Sequence, residues 1–123
     1  MGLKAHSVKK YDIEFGSACG FNYDPDTLAA IIYDFCDDAN LGDDGFGGHS
    51  TDTIWEVEKG QFQAMVNELR EMSEEEFNER MKEDWSYREQ PNPTYTQKYV
   101  IGLLMDFYND TPEKESQVRI GWF

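Results

Sequence analysis

No lysine or arginine occurs between Lys10 and Lys59, and that interval carries twelve aspartates and glutamates. Residues 1–10 contribute +3, residues 11–58 contribute −12 and residues 59–123 contribute −5, so most of the net charge of −14 belongs to the first half. A field of that sign repels phosphate backbones and anionic lipid and attracts basic partners. It argues against direct binding of nucleic acid, which requires a basic patch.

Cysteine is scarce. Cys19 and Cys36 are too few for a disulfide framework and read as a reduced pair. With His6 and His49 they form none of the close Cys-x-x-Cys or His-x-x-x-His spacings that mark a zinc site, so no metal or other cofactor is expected. No apolar run approaches the roughly 18 residues that span a bilayer. The N-terminal MGLKAHSVKK lacks an apolar signal core, and His6 stands where a myristoylation pattern needs Ser or Thr. Without a secretory route the acceptor pattern Asn109-Asp110-Thr111 carries no weight. The expected location is therefore the cytoplasm, with no membrane contact. Motifs for nucleotide, phosphate, serine-hydrolase and metalloprotease chemistry are missing as well. There is no internal repeat, low-complexity segment or dividing linker.

What is present is a chain of 123 residues with 15% aromatics, enough to bury a core without metal or disulfide and suited to one acidic domain over 1–123. Val8 to Phe15 alternates, with Tyr11, Ile13 and Phe15 opposite Asp12 and Glu14, as a half-buried strand does. Asp24-Pro25 opens a helix whose apolar stripe is Leu28, Ile31, Ile32, Phe35 and Cys36. Thr53 to Glu58 alternates again, with Trp55 and Val57 on one side and Ile54 and Glu56 on the other. Phe62, Met65, Val66 and Leu69 mark a second helix, and the Ser73-x-x-Glu76 capping box opens a third with Phe77, Met81 and Trp85 inward. After a loop punctuated by Pro91 and Pro93, Thr94 and Gln97 repeat the capping pattern before a helix running to about Asn109. That helix is apolar around most of its circumference and is expected at the centre. Val118, Ile120 and Trp122 alternate in a C-terminal strand. The expected fold is α+β in the order β-α-β-α-α-α-β, a small three-stranded sheet packed by about four helices.

The stretch CDDANLGDDGFGGHSTD, residues 36–52, holds five aspartates, four glycines and a histidine. As a calcium loop starting at Asn40 it fails, because its third ligand position is Gly42 and its twelfth is Thr51 instead of a bidentate glutamate. Asp43, Asp44 and Asp52 keep open only weak cation binding in an irregular loop. An enzymatic reading makes Cys19 a nucleophile ahead of the first helix, His49 its base and Asp52 the orienter. Against it, the surrounding acids raise a thiol pKa, and no oxyanion-hole motif is evident. Cys36 falls on the first helix's apolar stripe and reads as a small core residue.

Glu71, Glu75, Glu79 and Glu83 would line one helix face, but Ser73 breaks the helix and Arg70, Arg80 and Lys82 dilute the row. Pairs such as Glu76 with Arg80 are expected there. Tyrosines and Trp55 amid acids suit a surface that engages arginine-rich partners. The sequence thus points to a non-enzymatic interaction protein. Its acidic half, through Asp34, Asp37, Asp38, Asp43, Asp44 and Asp52, docks on a basic protein surface, as a charge-mimic inhibitor or immunity-type protein would. The alternative is a cysteine-dependent hydrolase using Cys19 and His49.

Overall fold

The computed structural model describes residues 5–10, 14–18, 21, 24–42, 49–51, 53–86 and 94–122, and of 6–10 and 14–18 it describes the backbone. Two strands open the chain, β1 (Ala5–Lys10) and β2 (Glu14–Ala18), followed by helix α1 (Pro25–Phe35). Strands β3 (Ala39–Asn40) and β4 (Trp55–Glu58) precede helices α2 (Lys59–Glu71) and α3 (Glu74–Arg80), and α3 runs into a π-helical turn (Met81–Trp85). Helix α4 (Gln97–Asp110) and strand β5 (Gln117–Trp122) complete the order.

The expected α+β class and the alternation of sheet and helix segments hold. The alternation over Val8 to Phe15 is divided between β1 and β2, which pair antiparallel, with Tyr11 to Ile13 outside the described residues. Short β3 adds to the edge beyond β4. Among the described residues the sheet therefore has five antiparallel strands in the order β2-β1-β5-β4-β3. The C-terminal strand β5 sits in the middle. It sets Ile120 opposite Trp55 and Val118 opposite Val57 on one face, and Arg119 opposite Glu56 on the other. Cross-strand neighbours share a face, so the first set joins the buried core and the second makes a polar pair.

Local chemistry explains the helix boundaries. Asp24 caps α1 by accepting from the Thr27 amide at 3.3 Å, and Pro25 occupies the first turn, where it forfeits no hydrogen bond. Ser73 caps α3 by accepting from the Glu76 amide. The cap of α2 is Glu58, whose carboxylate accepts from the Gln61 amide at 2.7 Å while its backbone ends β4. Glutamate is no usual cap, which is why the sequence gives no sharp start there. Helix α4 is capped by Thr96 instead of Thr94, and Thr94 supplies a carbonyl to the Thr96 amide.

Leu28, Ile31, Ile32 and Cys36 of α1, Phe62, Met65, Val66 and Leu69 of α2, and Phe77, Met81 and Trp85 beyond it are all buried in one cluster. Helix α4 contributes Val100, Leu103, Leu104 and Phe107, while Lys98, Tyr99 and Asp106 are exposed, so it is amphipathic rather than apolar all round. Gln97, freed from the expected capping box, reaches across to α2. Its amide nitrogen donates to the carbonyls of Leu69 and Met72 at 2.8 and 2.7 Å, satisfying acceptors that α2's C-terminus leaves open.

Replacing Gln97 by Ala removes both bonds and leaves partly buried carbonyls without this donor. The expected cost is about 1–3 kcal/mol, read as a lower urea midpoint at unchanged slope.

Candidate functional site

Three of the acidic residues singled out by the sequence lie at the C-terminal end of α1. Asp34 is in its last turn, and Asp37 and Asp38 follow the capping residue Cys36, whose amide closes on the Ile32 carbonyl. A helix C-terminus carries partial negative charge and favours cations, yet the last turn of α1 holds no basic residue. The three carboxylates therefore sit where the helix itself disfavours them.

They are not equivalent. Asp34 accepts a hydrogen bond from the Arg80 guanidinium and another from Trp85 Nε1 at 3.0 Å. Arg80 in turn binds Asp84 through Nε, and its guanidinium carbon lies 5.1 Å from the centre of the Trp85 ring. The chain thus supplies Asp34 with its own cation, and the expected Glu76–Arg80 pair gives way to this arrangement. The Asp37 and Asp38 side chains are exposed, and the Asp38 amide donates to Gln61 Oε1 at 3.0 Å, which ties this segment to the start of α2. Asp43, Asp44 and Asp52 lie outside the described residues.

The base of the glycine-rich stretch is held at both ends. The Ser50 amide donates to the Leu41 carbonyl at 2.9 Å, and the Ser50 carbonyl accepts from Trp55 Nε1 at 2.7 Å. Gly42 has φ +79°, and a Cβ there would stand 2.6 Å from Thr53 Oγ1, so the turn requires glycine on two counts. His49 Nε2 lies 2.8 Å from Asp26 Oδ1 and the imidazole meets the Trp55 ring edge-on. Its carboxylate partner is thus a first-turn residue of α1 that the sequence reading had not connected to it. Cys19 and Asp52, the other members of the hydrolase reading, lie outside the described residues. Among the described residues no three His, Cys, Asp or Glu side chains are grouped to hold a metal ion, and no helix is long and apolar enough to cross a membrane.

Arg80, Asp84 and Trp85 are the site residues that sequence reasoning missed. The π-helical turn, closed by the Ser86 amide on the Met81 carbonyl, brings the Trp85 ring back against α1 beside Phe35. Spacing along the chain suggested that Trp85 points inward, but not that it meets Asp34. Two hollows flank this cluster. One is lined by Tyr33, Asp34, Glu83, Asp84 and Trp85, the other by Phe35, Glu68, Glu71, Met72 and Glu76, and Arg80 lines both.

Cys36 is buried, its Sγ 3.7 Å from the Gln61 carbonyl and 4.0 Å from Met65 Sδ. Burial, with the nearby charges of Asp37 and Glu58, pushes its pKa from 9.0 up to about 11. A folded-state pKa above the unfolded one favours folding in full below the unfolded value, and that contribution is lost as pH climbs to the folded value. In a Cys19→Ser background, Cys36 should resist thiol reagents at pH 8 and react on unfolding. Stability should decline between about pH 9 and 11, and Cys36→Ala should remove its share of that decline; unfolding melts across the two backgrounds measure the difference. No family model, curated protein or solved structure matches the chain.

Proposed function

We propose that the protein is a non-enzymatic interaction module that docks on a basic protein surface through the acidic end of α1. One observation carries the reading. Asp37 and Asp38 are exposed and placed against the negative end of a helix whose last turn has no base. Stability alone favours the opposite charge at these positions, so a role outside the fold accounts for them. Asp43, Asp44 and Asp52 extend the same acidic segment along the chain. A module of this kind masks a nucleic-acid-binding or nuclease surface by charge mimicry, as an immunity-type inhibitor does. Long-range steering makes such association fast and dependent on ionic strength.

The hydrolase reading has less support, since His49 spends Nε2 on Asp26 and its ring stands edge-on to Trp55.

Neutralising the helix end separates stability from function. Asp37→Asn with Asp38→Asn should stabilise the fold by about 0.5 kcal/mol per residue, because the repulsion from the helix end is relieved. The same variant should lose capture of a basic partner from a source lysate at low salt. A partner that high salt does not release, or that the double variant retains fully, counts against the docking surface.

A further inference from the structure

We propose that the notch formed by Asp34, Asp84 and the Trp85 ring is an arginine-recognition site, occupied in the free protein by the chain's own Arg80 and opened when an arginine of a basic partner takes its place. The inference rests on the docking reading and gives it a chemistry. A carboxylate, a second carboxylate and an indole face around one guanidinium supply what a planar, weakly hydrated cation needs and a compact ammonium uses less well. Arg80 shows the fit directly. Its guanidinium bonds Asp34 and Asp84 and lies over the Trp85 ring, while Trp85 Nε1 donates to the same Asp34 oxygen.

The notch is accessible. The side chains of Asp34 and Arg80 are 35% and 30% exposed, and Tyr33 at the rim is 48% exposed. Arg80 is the wall shared by the two hollows and, among the described residues that line them, the only base. Against that single base stand Asp34, Glu83 and Asp84 on one side and Glu68, Glu71 and Glu76 on the other. Phe35, Met72 and Trp85 give the paired hollows an apolar component. The surface thus complements a positively charged segment with arginine in it.

Arg80 also has somewhere to go. Glu76 lies four residues back on the same helix and lines the neighbouring hollow, within reach of an arginine that leaves Asp34. Exchanging Asp34 for Glu76 keeps the Arg80 charge paired, so a partner's arginine replaces an equivalent contact instead of breaking one.

The test uses two peptides of equal length, nona-arginine and nona-lysine, titrated against the full chain at one fixed salt concentration by calorimetry. The wild type should favour the arginine peptide. Arg80→Ala, checked for folding by circular dichroism, should tighten nona-arginine by about tenfold and nona-lysine far less. Arg80→Lys preserves the net charge and should give a smaller gain of the same sign, which separates vacating the notch from adding negative charge. Adding Asp34→Asn to Arg80→Ala should abolish the gain. An equal gain for both peptides, or none, overturns the arginine site. If both peptides still bind in a salt-dependent way that Asp37→Asn with Asp38→Asn weakens, the docking reading survives that failure. If neither peptide binds and no basic partner is captured, both fall.

Discussion

Arg119 stands in the middle strand of the sheet with only 6% of its side chain exposed, bonded to Glu56 at 3.0 Å across the strand pair and to Glu115 at 2.7 Å. A cation removed from water to that degree requires partners, because leaving it unpaired is strongly destabilising. Its presence fixes more than one contact. Slipping β5 by one residue against β4 would turn Arg119 toward the apolar core and expose Val118 and Ile120, so charge and hydrophobic pattern select the same register. The helices pack on the face that this register creates. α2 begins where β4 ends, and the Lys59 amide is held by the Ser116 carbonyl just ahead of β5.

The distribution of charge repeats this economy on a larger scale. With 25 acids and 11 bases, most carboxylates cannot have a basic partner of their own, and two of the described arginines are shared. Among the described residues, Arg119 serves two carboxylates and Arg80 two more. The acids at the end of α1 divide accordingly. Asp34 is engaged with Arg80, whereas Asp37 and Asp38 project their charge outward at a point the helix dipole disfavours. Surface pairs such as Arg80 with Asp84 contribute little to stability in water. Their interest lies in what they occupy and what they leave open.

Much of this was legible in the sequence where side-chain periodicity and backbone chemistry agree. The stripe of Phe62, Met65, Val66 and Leu69, the Asp24-Pro25 start and the Ser73 cap follow from rules that act within one or two helical turns. Long-range pairing was not legible in that way. Nothing in the alternation of Val118, Ile120 and Trp122 says that this strand lies between β1 and β4, because strand order depends on how distant segments pack. Gln97 misled for a related reason: its helix-start pattern was right in type, but its amide serves the end of a different helix. For the site, the acidic character of residues 34–52 was plain from composition. The meeting of Asp34 with Arg80 and Trp85 was not, since it joins α1 to a π-helical turn some fifty residues later in the chain.

The central position of β5 has a consequence for how the protein is made. The strand that joins the N-terminal hairpin to β4 is synthesised after every other described element, so the facing edges of β1 and β4 wait unpaired until β5 has been made. Helices α1 to α4 depend on local bonds and can form earlier, but the sheet beneath them cannot close before β5 has been made. During that interval the high negative charge of residues 11–58 keeps nascent chains apart while their strand edges are open. The acidity that marks the finished surface therefore also protects the unfinished one.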